Sequence, residues 1–328
     1  MKNTKRIMET ENKFSIEDTE IKFFSSIFLF LVILLLLSLL FGLRVGRRDT
    51  SLPGATTLHI FPVIEIEAQA AYVYDVRTKT VLFAKNENER LSLASLTKVM
   101  AALVAAETTP TYSTIVIGQD AIKAEGDSGL RNGERWSLKN LLDFSLVSSS
   151  NDGMSAVALA LGALEELTPQ SNEVLGDFVL KMNEKASELD LKNTYFFNIT
   201  GLDETAEKGG AYGTAKDMTM LFDYILSSHN ELLEATKESV LVVSSLNNVS
   251  HKAKNTNLIV NEIPGLIASK TGYTDIGGGN LVVAFDPELG RPIIVTILGS
   301  SEKGRFEDMT KLVSATMEYI TGELTTNH

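Results

Sequence analysis

A serine and a lysine three residues apart can form a nucleophile and its base, and residues 92–100, SLASLTKVM, hold Ser95 and Lys98 at that spacing. The apolar continuation AALVAA predicts a helix over 95–107. On a helix, positions i and i+3 share a face about one turn apart, so hydroxyl and amine can meet. A serine at a helix start also has its own backbone N–H free and the positive end of the dipole beneath it. That setting suits a group whose attack on a carbonyl generates an oxyanion. Lys98 can act as base only while neutral, so burial or a second cation must lower its pKa. The competing reading is an N-capping serine beside a lysine that snorkels to solvent. Ser300-Ser301-Glu302-Lys303 repeats the spacing in a polar stretch and is assigned no role. The first copy differs in its apolar flanks, which leave Lys98 few solvated exits.

Two further clusters carry usable chemistry. In LVSSSNDGMSAVALA, Ser149-Ser150-Asn151 occupy a turn between two helical patterns, where serine and asparagine are also ordinary caps. Ser245-Leu246-Asn247 shows how often such a pattern arises by chance. In ASKTGYT, Lys270 and Thr271 on a sheet edge can bind a carboxylate, and Gly272 lets a substrate backbone approach. The alternative there is an exposed strand lysine and a bend glycine. Gly126-Asp127-Ser128-Gly129 resembles the nucleophile sequence of chymotrypsin-like proteases, which also need a histidine and an aspartate upstream. The only upstream histidine is His59, so GDSG is read as a glycine-rich turn.

These residues need a scaffold. AYVYDVR and TVLFAK alternate around Thr78-Lys79 and predict a hairpin. Helical patterns cover 137–148 and 152–164, and another runs from Thr168 as N-cap and Pro169 to about 188. A further helix opens at Thr214, with Asp217 placed for a capping box. SVLVVSS, GLIASKTGYT, NLVVAF and PIIVTILG read as strands, and a last helix covers about 305–320. Strands at both ends with helices between predict an α+β domain whose N- and C-terminal strands share one sheet.

The net charge of −12 argues against a nucleic-acid partner. With no cysteine, thiolate metal sites, disulfides and cysteine nucleophiles are excluded, and four histidines without ligand spacing make neither metal site nor cofactor expected. Residues 23–43 lack charge and could cross a hydrocarbon core of roughly 30 Å as a helix. A cleaved signal peptide would have a shorter apolar run and a nearby small-x-small site. The expected organisation is a cytoplasmic tail at 1–22, an uncleaved anchor at 23–43, a juxtamembrane linker at 44–69 and a catalytic domain at 70–325. Charges flanking the apolar run are too even to fix its orientation.

Ser-x-x-Lys at 95, Ser-x-Asn at 149 and Lys-Thr-Gly at 270 occur in the order used by penicillin-recognising serine enzymes. With AYVYDVRTKTVLFAKNENERLSLASLTKVM, GTAKDMTML and KTGYTDIGGGNLV, the chain from about 70 to 322 resembles the low-molecular-mass D-alanyl-D-alanine carboxypeptidases, serine peptidase family S11. The resemblance implies a β-lactamase/transpeptidase-like domain with a helical cluster and a central antiparallel sheet built from N- and C-terminal strands; the apolar run 23–43 would place one transmembrane helix before it. It implies that Ser95 attacks the bond between two terminal D-alanines of a peptidoglycan stem peptide, with Lys98 as base and Lys270 as the cation holding Lys98 neutral. Ser149 would relay a proton to the leaving amine, and Asn151 would hold the substrate peptide. The backbone N–H groups of Ser95 and Tyr273 would form the oxyanion hole. Lys270 and Thr271, together with Arg305 in EKGRFED, would face the terminal carboxylate.

β-Lactam antibiotics would be covalent inhibitors, and the enzyme would sit in the bacterial cell membrane with its catalytic domain on the extracytoplasmic side. Ser150 stands where glycine is common in the family. Many members carry a second, β-rich domain and a C-terminal amphipathic anchor. Members lacking that domain include D,D-endopeptidases, which cut cross-links and form the first alternative. A class A-like β-lactamase would need a Glu-x-x-Leu-Asn-like loop, to which Glu165-Glu166-Leu167-Thr168 is a poor match. A non-catalytic penicillin-binding sensor would need a cytoplasmic output module.

Overall fold

The computed structural model describes residues 28–37, 60–123, 125–162 and 171–326. The tail, most of the apolar run, linker residues 44–59, the Thr168-Pro169 helix start and the Glu165–Thr168 segment lie outside the described residues. Residues 28–37 are helical with mostly exposed side chains. No helix among the described residues is long and apolar enough to cross a membrane.

Five strands form one antiparallel sheet in the order Leu266–Thr274, Gly278–Phe285, Ile293–Ser300, Ala70–Asp75, Thr80–Lys85. The N-terminal hairpin and the C-terminal strands therefore share a sheet, as the sequence pattern predicts. Alternation along each strand serves two cores. Ala70, Tyr72 and Tyr74 face the helical cluster, while Ala71 and Val73 face the opposite side. The cluster comprises helices Thr97–Thr108, Leu138–Ser148, Asn151–Gly162, Ser171–Glu188 and Ala215–Ser228. Helix Gly304–Thr326 covers the other face through Phe306, Met309, Leu312 and Ile320.

Residues 60–69, expected as part of a linker, run along the folded unit. The N–H groups of Glu67 and Ala68 donate to the Asp308 carboxylate at 2.9 and 2.8 Å, and Ile64 and Ile66 pack on the second core. Thr214 caps its helix by accepting from the Asp217 N–H at 3.0 Å. The Asp217 carboxylate does not close the box. It takes the Asn193 N–H and the Thr194 hydroxyl instead, donors of a loop that has no helix to satisfy them. A three-stranded sheet of Leu91–Ser92, Ala211–Gly213 and Tyr195–Phe196 was not expected, because strands of two or three residues carry no readable period.

Candidate active site

Ser95 lies in a single 3-10 turn, Ala94–Leu96, which runs into helix Thr97–Thr108. The expected helix start is thus one tighter turn. Ala94 holds φ at +47°, a conformation costly for a residue with a Cβ and sustained only by its surroundings. Gly201, at φ +81°, packs directly against the Ala94 carbonyl, and any Cβ there would collide with it. Ala94 is thereby pinned behind Ser95.

Lys98 is completely buried. Its Nζ is 2.7 Å from Ser95 Oγ and donates to the Thr200 carbonyl at 2.8 Å. Burial pushes its pKa well below the ordinary 10.5, and the charge of Lys270 lowers it further. Lys270 is 1% exposed and donates to Ser149 Oγ at 2.9 Å and to the Thr271 carbonyl at 2.8 Å. Its own pKa is lowered to about 7, first by burial and then by Arg305. Lys270, expected as the cation that keeps Lys98 neutral, is thus the smaller cause of the lowered Lys98 pKa. Burial leads, and Lys270 itself titrates near neutrality.

Ser149 closes helix Leu138–Ser148 in the left-handed region, at φ +59°, and helix Asn151–Gly162 begins two residues later. Asn151 turns its Nδ2 away to donate to the Glu125 carbonyl at 2.6 Å, while its Oδ1 is buried without a partner. One end of the side chain is thus committed to the protein, and the other has no partner of its own. The carbonyl it binds belongs to the loop that contains GDSG. Ser128 Oγ lies 2.6 Å from Ser150 Oγ, and the Ser128 N–H donates to the Asp152 carboxylate at 3.0 Å. GDSG is thus a turn, as expected, but one that clamps the Ser149–Asn151 segment. The sequence reading missed that role, for which the only available signal was an otherwise unexplained serine between two glycines.

The strand Leu266–Thr274 forms the sheet edge nearest the nucleophile. A Cβ on Gly272 would lie 2.8 Å from the Leu93 carbonyl oxygen and 3.2 Å from the Ser95 nitrogen, so glycine is what permits this approach. The Gly272 carbonyl accepts from Arg305 Nη1 at 2.7 Å. Arg305 is 8% exposed, its Nε has no partner, and its guanidinium carbon is 5.8 Å from the Tyr273 ring centroid. Thr271 Oγ1 pairs with Thr256 Oγ1 at 2.6 Å, and Tyr273 remains 45% exposed. The three motifs therefore converge as one cluster, with Arg305 bound to the carbonyl of Gly272. The second Ser-x-x-Lys copy serves the fold: Ser300 Oγ donates to Asp308 and Ser301 Oγ to Glu67. Asn247 of the second Ser-x-Asn accepts the Arg135 N–H. Among the described residues no group of three or more histidines, cysteines or carboxylates is placed to hold a metal.

An antiparallel sheet flanked by a helical cluster, with a serine in the turn that leads into the first core helix and a lysine on that helix, both beside an edge strand, is the architecture of penicillin-binding, transpeptidase-type proteins. The sequence profile of the D-alanyl-D-alanine carboxypeptidases, peptidase family S11, matches residues 56–302, and the chain belongs to that family. It is 32% identical to D-alanyl-D-alanine carboxypeptidase DacF of Bacillus subtilis, over 75% of this chain and 61% of the relative. It is 28% identical to D-alanyl-D-alanine carboxypeptidase DacD of Escherichia coli, over 76% of this chain and 63% of the relative. The chain thus spans about six-tenths of the length of these curated relatives. Among solved structures, a penicillin-binding protein homologue from Mycobacterium tuberculosis superposes with TM-score 0.69 at 25% identity, covering 79% of this chain and 94% of that one. Penicillin-binding protein D2 from Listeria monocytogenes, solved with ampicillin bound, does so with TM-score 0.63 at 27% identity, covering 77% and 98%.

Proposed function

We propose that the chain is a serine D-Ala-D-Ala carboxypeptidase that trims peptidoglycan stem peptides through an acyl-enzyme on Ser95. The observation that carries this reading is the fully buried Lys98 amine 2.7 Å from Ser95 Oγ. Neutral Lys98 takes the Ser95 proton as Oγ attacks the carbonyl of the penultimate D-alanine. The oxyanion forms against the N–H groups of Ser95 and Tyr273; one such donor is worth roughly 3–4 kcal/mol. Collapse expels the terminal D-alanine, whose amine receives the proton through Ser149. Water then attacks the ester, Lys98 accepts its proton, and Ser95 is restored. Thr271, Lys270 and Arg305 hold the substrate's terminal carboxylate, and Asn151 Oδ1 accepts from its backbone. A β-lactam ring presents the same carbonyl and acylates Ser95, but its amine stays tethered and cannot leave.

The domain works on the extracytoplasmic side of a bacterial membrane, anchored by the apolar run 23–43. That placement is supported by the length of the run and by the location of the substrate. A second reading is cross-link cleavage. A D-alanyl-D-alanine endopeptidase of Pseudomonas aeruginosa is 28% identical over 76% of both chains. Incubating the full chain with muropeptide monomers and dimers separates the two, since mass spectrometry distinguishes loss of one alanine from splitting of a dimer. If a Ser95→Ala variant released D-alanine at the wild-type rate, the acyl-enzyme reading would fail.

A further inference from the structure

Tyr195-Phe196-Phe197 places three aromatic residues in succession. In extended chain, alternate side chains face the same way. Phe196 is buried at 1% exposure, while Tyr195 and Phe197 face outward at 45% and 37%. Tyr195 pairs in register with Tyr212 of the adjacent strand, so Tyr212 shares the outward face. The Tyr195 and Phe197 rings are 4.9 Å apart and edge-on, and Phe197 and Tyr212 are 6.3 Å apart and near perpendicular. Lys208 Nζ stands 3.8 Å from the Phe197 centroid and covers one face of that ring, while Tyr195 stays open, an exposed aromatic that a soluble surface has little reason to keep unless something covers it. Tyr195 also borders an open cleft of about 440 Å³, with Ser187, Asp190, Lys192 and Thr194 on its walls. That volume lies in the range of small-molecule sites, roughly 300–1,000 Å³.

The aromatic face adjoins the candidate active site. Tyr212 pairs with Ser92, three residues before Ser95. Adjacent strands put those two Cα atoms about 5 Å apart, and three residues add at most ~11 Å, so Tyr212 lies within about 16 Å of Ser95. It lies on the side where the strand Leu266–Thr274 turns back, since Gly277 packs on Ser92. A substrate whose terminal carboxylate is held at Lys270 and Thr271 would send its preceding residues past Tyr273 towards that turn. The four residues before the cleaved bond of a stem peptide extend at most ~14 Å. The sugar that carries the stem would then arrive over Tyr195, Phe197 and Tyr212.

We infer that this aromatic face, with the cleft beside Tyr195, binds the glycan of peptidoglycan while the stem peptide occupies the Ser95 site. The electron-rich face of Tyr195 meets the partly positive C–H bonds of a pyranose, Phe197 backs it with its face not taken by Lys208, and the polar cleft walls meet the sugar's hydroxyl and acetamido groups. The proposal rests on the carboxypeptidase reading for its direction and extends it to the substrate's non-peptide part. The test compares kcat/KM for a disaccharide pentapeptide and the same pentapeptide without sugar. The expected preference for the glycan-linked substrate is about five- to tenfold. Tyr195→Ala and Phe197→Ala should each bring the ratio close to 1, and Tyr195→Phe should keep it. No preference in the wild type, or full preference in both alanine variants, would overturn the proposal. If neither substrate is cleaved, the carboxypeptidase reading fails instead. Titration with the N-acetylglucosamine–N-acetylmuramic acid disaccharide then decides the surface on its own: shifted ring resonances of Tyr195 support it, and unmoved ones reject it.

Discussion

Lys98 Nζ and Ser95 Oγ sit 2.7 Å apart with the amine sealed from solvent, held on its other side by the Thr200 carbonyl. An ammonium ion there would give up its hydration for two neutral acceptors. Burial therefore favours the free amine, and a buried free amine beside a hydroxyl is a base poised to receive its proton. Lys98→Ala should slow acylation by penicillin about 10²–10⁴-fold, the usual worth of a positioned base. Lys98→Arg should not rescue it, because a guanidinium does not deprotonate. Stopped-flow measurement of adduct formation checks both.

The paired lysines set the pH dependence. Acylation needs Lys98 neutral, so the rate rises as pH increases through its lowered pKa. In the proposed mechanism the carboxylate grip needs Lys270 charged, so kcat/KM for a peptide with a free carboxylate should fall as pH passes about 7 in the free enzyme. Lys270→Gln should lower kcat/KM and remove the falling limb. It should also move the rising limb upward, since a like charge beside Lys98 is gone. A profile unchanged in shape would separate Lys270 from the chemistry.

The clamp at Ser128 should act on binding rather than on the nucleophile. Ser128→Ala removes the contact to Ser150 and should cost about 1 kcal/mol. The loss should appear mainly in KM, through a loosened Asn151, and Ser128→Thr should recover most of it. An equal loss in kcat alone would contradict this role.

Gly201→Ala tests the backbone behind Ser95. Its positive φ and its contact with the Ala94 carbonyl leave no room for a methyl group. A loss of about 1–3 kcal/mol in denaturant stability, with weaker acylation, is expected. A neutral variant would mean that this contact does not position Ser95.

Asp75, fully buried, accepts from Arg291 Nε at 2.7 Å and from the Thr78 N–H at 3.0 Å. Burial alone would raise its pKa, but the Thr78 and Arg291 bonds outweigh it and hold it below 3.8. Its stabilisation is present above the unfolded-state pKa and is lost as pH falls through the folded value. Arg291→Met should destabilise by about 3–5 kcal/mol at pH 7, because it leaves a buried charge unpaired. That loss should shrink in acid denaturation below the unfolded pKa of Asp75.

Much of this was legible in the residues. The hairpin around Thr78-Lys79, the core helices and the long C-terminal strands carry clear periods, and the ordered motifs at 95, 149 and 270 mark their own convergence. What escaped was long-range and backbone-borne. Thr200 contributes a carbonyl, which no residue type advertises. Ser128 acts through a fold contact with Ser150, and Asn151 spends its amide nitrogen on a loop 26 residues upstream. The short strands at Leu91–Ser92, Tyr195–Phe196 and Ala211–Gly213 have too few residues for any alternation to be read.

The central claim is that Lys98 is neutral when it meets Ser95. Titrating the full chain with side-chain-labelled lysine by nitrogen NMR reads this directly. The account predicts a Lys98 resonance that deprotonates well below 10.5, and that moves upward in Lys270→Gln. A Lys98 that stays protonated up to the ordinary lysine range would contradict it.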